Sequence, residues 1–328
     1  MLERSSHNPI LKAQPHLSWC NIKIYNSAVY SGGFSYKLLF RGIGEDWISR
    51  IGLAESADGE RFVIDQLPVI SPEFEFEKSG VEDPRLVKID GKYYVTYTAF
   101  DGKTARAAIV SSIDFKNWVD KRLIFPKWNT DQQRENLPSD WSKAAAMFPE
   151  KIGSKYYLFF GDNHIWPAIS DNLYDWDSMY EPILSARPGK FDSAYIEMGP
   201  PPIKTKDGWL VLYHGIDSFG DDKTYRLGAA LFDLDNPLII KWRCDNPILE
   251  PKESYEVAGL IDVIDGGYEV LQKLNPSDIQ QLAVSHQLPS AVFCCGAVRL
   301  KDKIRLYYSG SDTVLCTAII DLDTILKS

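Results

Sequence analysis

A pair of short β-strands recurs five times along this chain. In each pair an aromatic-rich strand stops at a Gly or Asp, and its partner ends in a short acidic turn. The first strands are predicted at residues 36–42, 93–102, 156–162, 209–215 and 304–310, and their partners at 51–59, 108–114, 168–172, 227–235 and 317–323. A hairpin cannot bury its own apolar face, so repeated hairpins have to stack, and periods of roughly 40–60 residues are typical of propeller blades. We therefore predict an all-β chain folded as a five-bladed β-propeller with an axial pocket.

The 328 residues contain no linker, low-complexity tract or other domain break, so we predict one domain over residues 1–328. The interval between the fourth and fifth pairs is longer than a blade needs, which predicts an insertion at about 258–288 with a short helix at 275–284. Such an insertion covers the pocket, makes a homo-oligomer contact or is a decorated surface loop. A polar loop at 126–142 with two Trp residues either borders the pocket or is a plain surface loop.

The charge and the cysteine content exclude several function classes. The formal net charge is −9 and no basic stripe is visible, so neither nucleic acid nor an anionic membrane surface is an expected partner. The start of the chain has no apolar signal region, and no run approaches the ~20 apolar residues of a membrane span, which indicates a cytoplasmic protein. Five cysteines without a ligand spacing predict neither a disulfide framework nor a metal site, and no cofactor is expected.

Charged side chains next to strands that line an axial pocket are the first candidates for chemistry, because burying them without a function is costly. The segment Val-Glu-Asp-Pro-Arg-Leu at 81–86 places two carboxylates and a guanidinium, including Asp83 and Arg85, just before a predicted strand. The alternative is a surface turn held by an Asp–Arg pair, since Asp-Pro often begins turns.

A second candidate is the segment Tyr-Ile-Glu-Met-Gly-Pro-Pro-Pro at 195–202. Three prolines hold the chain extended, so Glu197 is rigidly presented with Tyr195 on the same face of the strand. The alternative is a strand edge with an exposed Glu. Four further polar groups stand at the ends of predicted strands, and each alone is more often a turn residue than a ligand: Asn26, Lys143, His214 and Asp312.

The sequence lacks the phosphate-binding and nucleophilic-serine motifs of other enzyme classes. There is no Gly-x-x-x-x-Gly-Lys, no Gly-x-Gly-x-x-Gly after a strand and no Gly-x-Ser-x-Gly. The chemistry that these residues can supply is acid–base work by carboxylates, with Arg, Lys and His to hold anions or hydroxyl groups.

Taken together, the motifs resemble glycoside hydrolase family 130, whose members are five-bladed propellers that act on β-mannosides. The resemblance runs nearly end to end and rests on segments at 25–29, 50–59, 80–85, 147–152, 199–203, 212–215, 225–235, 247–251 and 293–298. It implies an Asp general acid at Asp83, acting through a sugar hydroxyl. It further implies that Asn26, Arg41 and Asp312 hold the mannose. The other candidate substrate-binding residues are Arg50, Arg85, Lys143, Tyr195 and His214.

The family contains inverting phosphorylases, which release α-mannose 1-phosphate, and inverting hydrolases, which use water. Three departures from the phosphorylase pattern are visible, and two of them lie in one segment: Tyr195 stands where phosphorylases carry a phosphate-binding Lys, and Glu197 stands where they carry Gly. Lys143 is followed by Ala where phosphorylases have an Asn, whereas His214 is kept. Losing a cation and gaining a carboxylate makes the site repel phosphate, and the same carboxylate can deprotonate water. Glu197 is therefore a candidate base, and Glu256 in Ser-Tyr-Glu-Val (254–257) is a second one.

Three functions follow from these features. The first is an inverting exo-β-mannosidase for short β-mannosides such as β-1,2-linked ones, with Asp83 as acid and Glu197 or Glu256 as base. The alternative is an inverting β-mannoside phosphorylase, for which inorganic phosphate is a co-substrate. The third is a catalytically silent sugar-binding propeller, which the Glu-Asp-Pro-Arg segment disfavours.

Overall fold

The computed structural model describes residues 2–32, 35–128, 141–179, 181–218, 223–257 and 290–328. The predicted insertion at 258–288, its helix at 275–284 and residues 129–140 of the predicted loop at 126–142 lie outside these ranges.

The described strands form five antiparallel units, numbered I to V along the chain and called blades below. The chain begins with β1 (Leu2–Arg4), and blade I then contains β2 (Lys23–Ser31), β3 (Tyr36–Ile43), β4 (Ser49–Ser56) and β5 (Val63–Ile64). A short 3-10 helix (Glu75–Glu77) precedes blade II, which contains β6 (Gly80–Ile89), β7 (Lys92–Phe100), β8 (Ala105–Ser112) and β9 (Val119–Leu123). Blade III contains β10 (Ala146–Met147), β11 (Tyr156–Phe160), β12 (His164–Ser170), β13 (Asp177–Ser178) and β14 (Leu184–Ser185).

Blade IV contains β15 (Tyr195–Met198), β16 (Ile203–Lys204), β17 (Trp209–Ile216), β18 (Thr224–Phe232) and β19 (Ile240–Arg243). Blade V contains β20 (Ser290–Leu300), β21 (Lys303–Gly310) and β22 (Val314–Asp321). Two four-residue helices, α1 (Ser254–Val257) and α2 (Leu322–Ile325), complete the described elements. No helix in the described ranges is long and apolar enough to cross a membrane.

The five hairpins predicted from the sequence are present as the two middle strands of each blade. They are β3 with β4, β7 with β8, β11 with β12, β17 with β18, and β21 with β22. Each blade adds at least one strand before its hairpin, and blades I to IV also have one or two short strands after it. The predicted all-β, five-bladed architecture is confirmed.

The first and last parts of the chain meet in blade V. Strand β1 pairs antiparallel with β22, with Leu2 opposite Ile320 and Arg4 opposite Ala318, so the start of the chain supplies the fourth strand of the last blade. A further bridge joins Leu11 to Leu315. The ring of blades is thereby fastened by two segments that are far apart in sequence.

The apolar core is divided among the five interfaces between neighbouring blades. Strand β17 shows how one strand serves two interfaces: Leu210 and Leu212 pack toward blade V, whereas Trp209, Val211 and Tyr213 pack toward blade III. Comparable clusters lie between blades I and II, between II and III, and between V and I. Because successive side chains alternate between the faces of a sheet, the middle strands need apolar residues at nearly every position. This explains the continuous aromatic and aliphatic runs in the sequence.

Candidate active site

A cavity of about 390 Å³ opens where the first strands of the blades come together. All five blades contribute to its wall. The residues that line it are Tyr25, Asn26, Arg41, Glu82, Asp83, Thr98, Phe100, Ala105, Trp141, Lys143, Glu197, Tyr225, Ala291, Phe293 and Asp312. The structure thus brings together six of the residues predicted from the sequence: Asn26, Arg41, Asp83, Lys143, Glu197 and Asp312.

Irregular backbone directs several of these side chains into the cavity. The register shifts at Asn26 on β2 and at Asp83 on β6, each within a β-bulge. Asn26 (φ 44°), Asp83 (φ 50°) and Asp312 (φ 54°) all adopt the left-handed region, which non-glycine residues rarely occupy. A bulge re-aims a side chain, and such strained residues concentrate at functional sites. Their meeting at one pocket marks that pocket as functional.

Asp83 lies at the centre of a buried hydrogen-bond network. Its Oδ1 accepts hydrogen bonds from Asn26 Nδ2 (2.8 Å) and Arg41 Nη1 (3.1 Å). Arg41 also donates from Nη2 to Glu82 Oε1 (2.6 Å) and from Nε to Ser49 Oγ (2.8 Å). Arg41 thereby holds two adjacent carboxyl groups in fixed positions beside the cavity.

The two adjacent carboxyl groups differ in how readily they bind a proton. Burial acts to raise the pKa of Asp83, but Arg41 and the Asn26 hydrogen bond outweigh it, so this pKa is lowered. Burial raises the pKa of Glu82, although Arg41 opposes the shift. Burial and the nearby Asp83 also raise the pKa of Asp312. Arg41 and Asn26 thus favour the ionised form of Asp83, whereas burial favours the protonated form of Glu82.

Glu197 lines the same pocket from β15 of blade IV and is almost fully buried. Its Oε1 forms an ion pair with Lys143 Nζ at 3.0 Å, and its Oε2 accepts a hydrogen bond from the Tyr195 hydroxyl at 2.8 Å. Burial acts to lower the pKa of Lys143, but Glu197 and Asp162 raise it overall. Lys143 therefore stays protonated, and the Glu197 carboxylate balances its positive charge.

Asp162 is a member of this group that the sequence analysis missed. It directly follows β11, pairs with Glu197 in an isolated antiparallel bridge, and is 8% exposed. Burial raises the pKa of Asp162 to about 6; Glu197 adds to the shift and Lys143 opposes it. The sequence carries a weak signal for it, because Gly-Asp ends one of the predicted aromatic strands.

Three other predicted residues, Arg85, His214 and Tyr195, do not line the cavity but contact the segments or side chains that do. Arg85 is buried and donates to the backbone carbonyls of Met198 and Gly199, each at 2.7 Å. His214 is buried, stacks on Phe293 with ring centroids 3.8 Å apart, and accepts a hydrogen bond at Nε2 from the Cys294 backbone N–H. Burial lowers the pKa of His214 well below its usual value, so this ring is neutral and supplies no positive charge.

Tyr195 acts on the cavity through Glu197, as the hydrogen bond above describes, and is not part of the lining. Arg50 is directed elsewhere: its guanidinium binds Asp46 at 2.7 and 3.1 Å and the Ile48 carbonyl at 3.1 Å. The structure therefore does not bring Arg50 to the pocket as a substrate-binding residue.

Glu256 is also placed away from the pocket, which corrects its assignment as a candidate base. It is fully buried in α1, where it accepts hydrogen bonds from Arg4 (2.7 and 2.8 Å) and from the Tyr308 hydroxyl (2.7 Å). The backbone N–H groups of Lys252 and Glu253 donate to the same carboxylate. With both oxygens occupied, Glu256 anchors β1 to blade V and has no oxygen left for water.

The remaining lining residues could not be predicted as one group. Glu82 stands in the predicted acidic segment but had no assigned role, and Tyr25, Tyr225, Phe293 and Trp141 come from separate blades. Aromatic residues occur throughout the strands as core residues, so their position near the axis becomes visible only when the ring is closed. Within the described residues, no group of three or more His, Cys, Asp or Glu side chains is placed to hold a metal ion.

Comparisons with known proteins agree with this architecture. A family model described as β-1,4-mannooligosaccharide phosphorylase matches residues 5–266. The chain is similar to a 1,2-β-oligomannan phosphorylase of Thermoanaerobacter sp. (strain X514), with 36% identity over 99% of this chain and 98% of the relative.

Two solved structures are similar over nearly the whole chain. One is the β-1,2-mannobiose phosphorylase of Listeria innocua in complex with β-1,2-mannobiose, with 26% identity, a TM-score of 0.78 and coverage of 99% and 98% of the two chains. The other belongs to work on family members described as glycoside hydrolases that target β-1,2-mannosidic linkages in Candida mannan, with 27% identity, a TM-score of 0.80 and coverage of 98% and 94%.

Proposed function

The chain belongs to glycoside hydrolase family 130, and we propose that it cleaves terminal β-mannosides with inversion and uses water as the acceptor. The family membership confirms the resemblance found in the sequence. The choice of β-1,2-linked substrates is supported by a phosphorylase relative named for β-1,2-oligomannan and by structural neighbours named for β-1,2-linkages.

The single observation that carries the choice of water is the position of Glu197. Its carboxylate lines the cavity and balances the charge of Lys143, while the other lining cation, Arg41, is paired with Glu82 and Asp83. A phosphate dianion needs several free cationic or N–H donors. Within the described lining, both cations already have carboxylate partners, so phosphate would meet negative charge there.

The proposed roles follow from the two sides of the pocket. On one side Asn26, Arg41 and Asp312 hold the terminal mannose, and Asp83 delivers a proton to the departing oxygen through a sugar hydroxyl. On the other side Glu197 removes a proton from water. An inverting hydrolase keeps its two carboxyl groups about 6.5–9.5 Å apart so that water fits between the base and the sugar.

Asp83 has to bind a proton before it can act as an acid. In the free pocket Arg41 and Asn26 both donate to its Oδ1 and keep it ionised. If a sugar hydroxyl accepts the hydrogen bond of Asn26 or Arg41 in place of Asp83, the ionised Asp83 carboxylate loses a donor. The pKa of Asp83 then rises. Substrate binding therefore prepares the acid in this proposal.

A second candidate function is phosphorolysis, and the named relatives favour it. The relative with 36% identity and the Listeria structure are both phosphorylases, which supports phosphate as acceptor better than it supports water. In that case Lys143 would have to leave Glu197 and bind phosphate, and Glu197 would have to be protonated or displaced.

The products formed from β-1,2-mannobiose test the proposal. Proton NMR of a reaction without phosphate is expected to show early free mannose with more α-anomer than the reducing end of the substrate supplies, because hydrolysis with inversion converts the β-linkage into an α-hemiacetal. Formation of α-mannose 1-phosphate, and only in the presence of phosphate, would establish the second candidate. Binding without either product would indicate a silent sugar-binding propeller.

A further inference from the structure

Glu82 and Asp83 are neighbours in sequence, yet both side chains contact the same guanidinium group. In a regular strand successive side chains point to opposite faces. Here the register of β6 shifts between Glu82 and Arg85, and Asp83 has a φ of 50°. Arg41 Nη2 donates to Glu82 Oε1 at 2.6 Å while Nη1 donates to Asp83 Oδ1 at 3.1 Å. The bulge thus places two carboxyl groups side by side in the wall of the cavity.

Each of these carboxyl groups receives its hydrogen bonds on one oxygen. Glu82 Oε1 accepts from Arg41 and from Ser49 Oγ (3.1 Å), and Asp83 Oδ1 accepts from Arg41 and from Asn26. Among the described residues, no hydrogen-bond donor contacts Glu82 Oε2 or Asp83 Oδ2. These two oxygens are therefore the ones that can carry a proton, because their lone pairs are not taken by other donors.

The surroundings act differently on the two members of the pair. Burial raises the pKa of Glu82, and the nearby Asp83 adds to the shift although Arg41 opposes it. Burial acts in the same direction on Asp83, but Arg41 and the Asn26 hydrogen bond outweigh it, so this pKa is lowered. A carboxyl group next to an ionised one binds a proton more readily. Such a pair can hold one proton and one negative charge.

We propose that Glu82 stores the proton that Asp83 passes to the substrate, so that the two carboxyl groups work as one acid. When a sugar hydroxyl takes a donor away from Asp83, the O–H bond on Glu82 Oε2 breaks and a new one forms on Asp83 Oδ2. The negative charge passes to Glu82, where Arg41 balances it. Asp83 then delivers the proton toward the departing oxygen, and Glu82 takes another from solvent when the products leave.

This inference rests on the proposed cleavage of β-mannosides and holds for either acceptor, water or phosphate. Glu82→Gln tests it, because the amide still accepts from Arg41 but cannot give a proton to Asp83. At about pH 7.5 this variant is expected to lower kcat for β-1,2-mannobiose at least about tenfold, with KM near that of wild type. β-D-Mannosyl fluoride should be spared, since fluoride departs with little help from an acid. Glu82→Asp keeps a carboxyl group and should retain more activity on mannobiose than Glu82→Gln.

The pH dependence of kcat provides a second readout that needs mannobiose alone. Activity that requires an acid falls as the pH rises through the pKa of the group that holds the proton. Removing Glu82 leaves Asp83, whose pKa is lowered, so the falling limb should move to lower pH and the loss should shrink toward about pH 5. The other charged groups that act on the pair stay in place in this variant: Arg41, Arg85, Lys143 and Asp312.

Glu75→Gln provides the control, because it removes an exposed carboxylate that pairs with Lys78 at 3.3 Å shortly before β6. Neither substrate should be affected by it. Equal losses on both substrates in Glu82→Gln, a loss on mannobiose that is the same at every pH, or no loss at all would overturn the proton store. If the wild-type enzyme cleaves mannobiose neither with water nor with phosphate, the proposed function itself fails and not this inference alone.

Discussion

The position and the environment of Glu197 have different origins. The stiffness of its own segment fixes its position, and packing against distant segments sets its environment. The prolines at 200–202 made it a candidate in the sequence, but its environment comes from other segments: Lys143 precedes blade III, and Asp162 follows β11. Its presence could be predicted because the proline signal is local. Its ion pair could not, because that contact depends on how two blades pack.

Replacing the proposed base tests this residue directly. Glu197→Gln is expected to slow hydrolysis of β-1,2-mannobiose by at least about 100-fold, because general-base catalysis contributes roughly 10²–10⁴-fold. Steady-state rates of mannose release measure the effect. Glu150→Gln removes an exposed carboxylate that pairs with Lys204 and should be neutral. Near-normal activity of Glu197→Gln would remove Glu197 from the mechanism.

Asp83→Asn tests the proposed acid in the same way. Turnover is expected to be lost, because an amide cannot donate the proton that the departing oxygen needs. Asn can still accept a hydrogen bond from Asn26 or Arg41, so thermal unfolding followed by circular dichroism should show a folded protein. A folded variant with unchanged turnover would disprove the assignment.

Asp162→Asn is expected to make the stability less dependent on pH. Because the pKa of Asp162 is raised from 3.8 to about 6 in the folded protein, ionising this group costs stability as the pH rises through that range. The Asn variant should match wild type near pH 4 and exceed it at pH 8 by up to roughly 3 kcal/mol. Urea unfolding at both pH values measures the difference. A constant difference across this range would contradict the shifted titration.

At the scale of secondary-structure elements, the strength of the sequence signal depends on strand length. The middle strands of each blade have five to nine residues and carry a periodic pattern between Gly or Asp stops. Strands β5, β10, β13 and β14 have two residues each, and a two-residue strand has no period to detect. The first strands carry 7 of the 15 lining residues. Their bulges at Asn26 and Asp83 were not predictable, because a bulge is defined by the partner strand.

The closure of blade V explains why the sequence could not show that the second base candidate, Glu256, lies away from the pocket. Its partner Arg4 is 252 positions away, so no local pattern indicates the ion pair. A Glu in an otherwise unremarkable segment is easily taken for a base when its partner is unknown. The structure assigns it instead to the contact that ties β1 to the last blade.

Glu256→Gln is therefore expected to reduce stability and spare catalysis. Removing one member of a buried ion pair leaves the other without compensation and costs about 3–5 kcal/mol. Denaturant unfolding should report the loss, while kcat per folded molecule stays near wild type. A variant with normal stability and no turnover would return Glu256 to the list of candidate bases.

At the scale of the whole molecule, the ring determines which residues meet. The sequence was sufficient for the number of blades and the hairpins, because these leave local patterns, and it named six of the pocket residues from local motifs or from the family resemblance. It was not sufficient for the wall contributed by Tyr225, Phe293 and Trp141, which exists only when blades III, IV and V converge.

The central claim is that water and not phosphate is the acceptor. The most direct measurement is the initial rate of β-1,2-mannobiose cleavage by the wild-type enzyme as inorganic phosphate is raised from zero to millimolar concentration. The account predicts a finite rate at zero phosphate and free mannose as the product throughout. A rate that starts at zero and rises hyperbolically with phosphate, with α-mannose 1-phosphate as product, would contradict it.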